Sequence, residues 1–94
     1  MARQVDRFIQ DHGGYWDISW LLVAIMEELG ELSRALQIFS GIREIETSIQ
    51  GKNVKKIIEE ESGDLFFSLI CLTNFISVDL ETALIKTLNK YDSR

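Results

Sequence analysis

The chain has 94 residues, 46% hydrophobic and 27% charged, with no proline, one cysteine and a net charge of −5. That is the size of one globular domain, residues 1–94, and a domain this small buries so limited a share of its surface that oligomerisation is a natural route to stability. One cysteine excludes an internal disulfide framework and fits a reducing compartment, the acidic balance gives no support to nucleic-acid backbone binding, and no apolar run approaches the roughly 20 residues that span a bilayer.

The first expected element is a helix over about residues 2–11, with Val5, Phe8 and Ile9 on one side. The start, "MARQVDRFIQ", has no apolar signal-peptide core, which points to a cytoplasmic protein with no membrane attachment. "HGGYW" breaks the helix, because paired glycines punctuate helices. A second helix is expected from about Asp17, an N-cap residue type, to about Ser40, ended by Gly41. Leu22, Ile25, Leu29, Leu32 and Leu36 recur along it at the helical period and predict its core face. Residues 41–52 read as a connection with room for a short helical turn. The third helix is expected from near Asn53 to about Ile76, with the stripe Ile58, Leu65, Leu69, Leu72 and Ile76, and the fourth from about Asp79 to Tyr91, with Leu80, Ala83, Leu84, Leu88 and Tyr91 facing the core. No strand pattern competes. Short connections favour antiparallel neighbours, so the fold class is all-α, a four-helix bundle-type protomer. Val23 and Met26 on the second helix, and Phe66, Phe67 and Ile70 on the third, lie off the stripes. A helix apolar nearly all round is buried nearly all round, which predicts a homodimer or homotetramer.

The acids are not evenly spread. Seven of the 15 stand in two clusters: Glu27, Glu28, Glu31, then Glu59, Glu60, Glu61, Asp64. The remainder carries 8 acids and 10 bases. "EELGE" at 27–31 returns 33 positions later as "EESGD" at 60–64, glycine included. Residues three and four apart on a helix stand about 5–6 Å apart at Cβ, so each cluster can converge on a point. The first arc lies roughly 140° from the Leu22–Leu36 stripe. Three readings compete. A solvated face is the ordinary explanation of a helical charge run, but Ala24, Ala35 and Ile38 share the first arc and Ile57, Ser68 and Cys71 the second, and these are small or apolar. Pairing with Lys or Arg is the second; few bases lie nearby in sequence. The third is a metal site, because carboxylates crowded away from water repel unless some protonate or a cation intervenes. The paired clusters favour the third. All-oxygen ligation suits Mg²⁺ or Mn²⁺. The one histidine, His12, sits apart beside glycines, where a surface or helix-cap role fits it better than ligation. Gly30 and Gly63 admit two readings, close helix approach or room for a ligand.

Mg²⁺ held by few carboxylates meets phosphate at its open positions. Lys86, Lys90 and Arg94 form a basic stripe beside Asn89 that could meet the same phosphate; a basic last turn also suits the helix macrodipole. Tyr15, Trp16 and Trp20 lie near the first acidic helix, for base stacking or for packing in the core or against a partner.

Glu-Glu-x-x-Glu followed some thirty residues later by Glu-x-x-Asp resembles the MazG family of all-α nucleotide pyrophosphohydrolases. The motif here is "EELGE" (27–31) and "ESGD" (61–64), and "NKYDSR" (89–94) resembles the family's C-terminal basic segment. The resemblance covers about residue 13 to the end, and the small single module looks like the short members rather than the tandem-domain form. It implies a Mg²⁺-dependent hydrolase that splits a nucleoside triphosphate into monophosphate and pyrophosphate, assembled as a dimer or tetramer. It implies that Glu28, Glu31, Glu61 and Asp64 ligate the metal, and that Glu27 or Glu60 orients or deprotonates the attacking water. It further implies that Asn89, Lys90 and Arg94 touch the polyphosphate; Trp16 and Trp20 would be the candidates for the base. Phosphoribosyl-ATP and dimeric dUTP hydrolases share this acidic architecture and remain rivals, as does a non-enzymatic helical module that binds a partner or a regulatory metal.

Overall fold

The computed structural model describes residues 1–41 and 53–93. They form four helices and, among them, no strand: α1 (Ala2–Asp11), α2 (Ile18–Phe39), α3 (Val54–Phe75) and α4 (Leu80–Asp92). The expected turn within 41–52, and Arg94, lie outside the described residues.

Local chemistry sets the helix ends. Gly13 and Gly14 stop α1 with φ of +103° and +90°, and Gly41 follows α2 at +81°; such backbone costs glycine nothing. Asp17 accepts a hydrogen bond from the Ser19 amide at 3.4 Å, Asn53 from Lys55 at 2.9 Å and Asp79 from Thr82 at 3.1 Å, so each long helix starts on a side-chain cap. The Thr82 amide also holds the Asp79 carboxyl below its usual range. α3 ends differently. The Val78 amide bonds to Thr73 O and the Ser77 amide to Asn74 O, while Ser77 takes φ +58°. This is a Schellman stop with serine where glycine is usual. α4 starts three residues later, its axis bent by 104° from that of α3.

The main packing is α2 against α3, with α1 laid on α3. α1 is fixed by Asn74, which donates to Ala2 O at 3.0 Å, by the Tyr15 hydroxyl donating to Asp6 at 2.7 Å, and by an edge-on contact of Phe8 with Phe67 at 5.8 Å. His12 closes α1: its Nδ1 meets Phe8 O at 2.7 Å and its ring stacks on Phe8, the capping role expected of it.

Two expectations fail on packing. The leucine stripe of α2 is not its core face: Leu22, Leu29 and Leu36 are about half exposed, whereas Leu21, Ala35 and Ile38 are buried. On α3 the buried residues are Ser68, Ile70, Cys71 and Thr73. The two helices meet through the arcs that carry the acids. Small side chains there let the backbones approach, which a leucine ridge would prevent. The second failure is α4, which makes little contact with the other described helices. Leu84, Leu88 and Tyr91 are 56–59% exposed rather than in a core. The connection is short as expected, but the left-handed turn at Ser77 throws α4 sideways instead of returning it antiparallel. Among the described residues no single helix is long and apolar enough to cross a membrane.

Candidate metal centre

The α2–α3 seam has a mixed lining. On α2, Leu21, Ala24, Glu28, Glu31, Ala35 and Ile38 recur at spacings of three and four; on α3, Ile57, Glu61, Asp64, Ser68 and Cys71 do. The antiparallel pair therefore brings the two acidic motifs level with each other, midway along the seam.

There Glu28, Glu31 and Glu61 each place a carboxylate oxygen within 4.8 Å of the others. Glu28 and Glu61 are half-buried and Glu31 is exposed. Glu61 Oε2 is fully buried and has no hydrogen-bond partner among the described residues. Ionised carboxylates have nothing to donate to each other, so a shared proton or a cation would satisfy this oxygen. The titration reflects that. Burial first, then a hydrogen bond with Glu31 and the charges of Glu31, Asp64 and Glu28, push Glu61 up from 4.5 to about 7. Glu28 is raised as well, by burial and by Glu31, Asp64 and Glu27. Asp64 thus belongs to the same electrostatic cluster, from an exposed position one turn beyond Glu61. Three convergent carboxylates, one oxygen of them orphaned, with the charge of Asp64 close by, suit a hard divalent cation.

The other expected site residues divide. Glu27 lines an open groove with Gly30, Glu31, Ser33, Arg34 and Gln37, directly beside the cluster. Glu60 is exposed on α3, outside both the cluster and that groove. Arg34 was missed in the sequence, although its place three residues after Glu31 and seven after Glu27 puts it on their side of α2. Among the described residues nothing lies within 4 Å of a Cβ built on Gly30 or Gly63, so neither glycine serves close contact between the described helices.

The two tryptophans separate too. Trp16, 65% exposed, borders an apolar pocket of about 230 Å³ together with Phe8, His12, Tyr15, Phe67 and Cys71. Trp20, 63% exposed, stays outside it; neither is core. Ala24 and Ser68 form the pocket's inner wall, one helical turn from Glu28 and Asp64, so pocket and acidic cluster are neighbours on one seam. Burial raises the Cys71 thiol, as for an inert core cysteine. Asn89 and Lys90 are exposed on α4 and are not brought to the cluster.

Known proteins share this fold. The chain is 35% identical over 92 residues to the Bacillus subtilis protein YpjD, covering 97% of this chain and 79% of that one. The crystal structure of YpjD superposes with a TM-score of 0.80 at 33% identity, over 96% of this chain and 89% of the other. The crystal structure of the Bacillus-conserved MazG protein, a nucleotide pyrophosphohydrolase, gives 0.78 at 33% identity, over 97% and 84%. The nucleoside triphosphate pyrophosphohydrolase/pyrophosphatase MazG of Thermotoga maritima is 34% identical over 95 residues, and the chain spans 31% of its length. The MazG nucleotide pyrophosphohydrolase domain family matches residues 18–94, from the first turn of α2 through both acidic motifs, and the chain belongs to that family.

Proposed function

We infer that the chain is a nucleoside triphosphate pyrophosphohydrolase, releasing nucleoside monophosphate and pyrophosphate by cleavage between the α and β phosphates, with Mg²⁺ as its metal and Mn²⁺ as a substitute. The observation that carries this is the convergence of Glu28, Glu31 and Glu61 with one buried oxygen orphaned. It is supported by the family's general dependence on divalent metal.

Glu28, Glu31, Glu61 and Asp64 are the residues to hold the cation. Bound there, it would neutralise the polyphosphate and activate water for in-line attack. Glu27 borders the groove beside Glu31 and is the better placed acid to orient the water or take its proton; Glu60 has no such position. The apolar pocket along the seam, with Trp16 at its edge, is the candidate for the base, and Trp20 is not. Residues 1–94 act as one domain, α1 supplying the outer wall of that pocket. The half-exposed leucines of α2 and α4 argue for a homodimer or homotetramer. A nucleotide substrate and the reduced Cys71 fit the cytoplasm.

The test is pyrophosphate release over a panel of common and damaged nucleoside triphosphates with Mg²⁺. Wild type releases pyrophosphate from at least one, and Glu31→Gln and Asp64→Asn each lose about 100-fold or more while keeping the fold. Silence across the panel, or full activity in both variants, sinks the assignment. Retained partner or metal binding without turnover would point to a non-enzymatic module.

A further inference from the structure

We propose that His12 and Ser68 form a subsite for the sugar of the nucleotide, His12 Nε2 accepting a hydrogen bond from the 3′-hydroxyl and Ser68 Oγ donating one to it. This deepens the pyrophosphohydrolase reading and rests on it.

His12 carries a fixed acceptor at the pocket's exposed rim. Its Nδ1 meets Phe8 O at 2.7 Å. A carbonyl oxygen only accepts, so Nδ1 holds the proton and Nε2 of the neutral ring holds a lone pair. The Phe8 ring, stacked on it with centres 4.1 Å apart, sets the plane of the imidazole. No described residue meets Nε2. Ser68 is the counterpart on α3. It is 9% exposed, it lines the same pocket, and its hydroxyl has no partner among the described residues. Thr73 on the same helix returns its hydroxyl to Leu69 O and Ile70 O; Ser68 does not. An unpaired hydroxyl in a buried wall costs stability, and a ligand hydroxyl removes the cost.

Both groups stand at the end of the pocket nearest the acids. Asn74 meets Ala2 and Phe67 meets Phe8, so α1 runs back along α3. Four residues beyond Phe8, about 6 Å further, His12 draws level with Asp64. Ser68 is one turn from Asp64 on α3 itself. Gly13 and Gly14 then reverse the chain, and the Tyr15 ring comes to rest 6.3 Å from Phe75, at the other end. Trp16, Leu21 and Cys71 line the pocket towards that end. Along the seam come acids, then hydrogen-bonding groups, then aromatic and apolar walls. A nucleotide presents phosphate, sugar and base in the same order. A sugar hydroxyl donates and accepts, so one such group satisfies His12 and Ser68 together. The 3′-hydroxyl is the one that ribo- and deoxyribonucleotides share, and the nearer to the 5′-phosphate. His12 precedes the segment matched by the family, residues 18–94, so this contact belongs to α1 rather than to the acidic motifs.

The experiment compares a nucleoside triphosphate that the chain hydrolyses with its 3′-deoxy analogue. Wild type favours the parent by about tenfold or more in kcat/KM, since a site built to bind a hydroxyl rejects the analogue lacking it. His12→Phe keeps the ring on Phe8, and Ser68→Ala keeps the packing. Each lowers that ratio by about threefold or more, and the double variant brings it to about one. His12→Gln returns an acceptor and restores part of the preference. Circular dichroism shows every variant folded. A merely structural role slows parent and analogue alike and leaves the ratio at its wild-type value. That result overturns the proposal. So does a wild type indifferent to the 3′-hydroxyl, or a His12→Phe whose change appears only with the 2′-hydroxyl or only between bases. A second readout needs no turnover: calorimetry with the α,β-methylene analogue of the same triphosphate, and with its 3′-deoxy form, gives the same preference in affinity. A chain that hydrolyses no nucleotide but binds with this preference sinks the function and leaves the subsite standing. One that binds no nucleotide overturns both.

Discussion

A carboxyl group crowded by three others must hold either a proton or a share of a cation. Glu61 is raised to about 7 by burial and by Glu31, Asp64 and Glu28. Between pH 4.5 and 7 the metal-free folded chain therefore keeps a proton that the unfolded chain has released. This group's contribution to stability is fully present below 4.5 and is lost as pH rises through 7. Metal-free protein should melt at a lower temperature at pH 8 than near pH 5, as far as this site governs it, and Mg²⁺ should recover the difference at pH 8, since the cation replaces the proton. Thermal melts across that range with chelator and with Mg²⁺ measure it; equal melting points with and without metal at pH 8 would rule it out. Glu61→Gln should raise the metal-free melting point at pH 8 and abolish the gain from metal. The identity of these acids was legible in the sequence, because two matched motifs at helical spacing allow few arrangements. Their orientation was less so. Leucines are the usual core residues, and the α2–α3 seam instead runs through alanine, serine, cysteine and glutamate.

At the scale of the element, the sequence placed all four helices with ends within about two residues, since Asp17, Asn53, Asp79 and the glycines are strong local signals. What it could not place was α4, because its direction depends on the handedness of one serine. Ser77 holds a conformation that favours glycine, so Ser77→Gly should stabilise the fold by about 0.5–1 kcal/mol in denaturant titration. Gly30 offers the opposite experiment. It costs α2 about 1 kcal/mol relative to alanine, and no neighbour among the described residues requires it. Gly30→Ala should therefore raise the melting point yet lower activity, the signature of a space kept for something outside the protomer. Raised stability with unchanged activity would remove that role.

The whole protomer is a thin, branched body, 43 × 40 × 22 Å, with no large side chain fully buried among the described residues. Its buried apolar set, Leu21, Ala35, Ile38, Ile70 and Cys71, is small for a chain that is 46% hydrophobic. Composition argues for an assembly, and the exposed apolar faces of α2 and α4 are the surfaces it would cover. Stability should then depend on concentration: the melting point should fall on dilution, and light scattering should report a dimer or larger at micromolar chain. A melting point constant over a hundredfold dilution would contradict this.

The stop at Ser77 and the start at Asp79 leave α4 no slack. In a junction so short, the length of the loop decides whether an element returns to its own chain or is exchanged with another, the logic of domain swapping. Lengthening it by several Gly and Ser residues between Ser77 and Asp79 should free α4 to fold back over its own α2. The expected product is a smaller species by light scattering, with Leu84 and Leu88 covered from within the chain, by a change that touches no acid and no leucine.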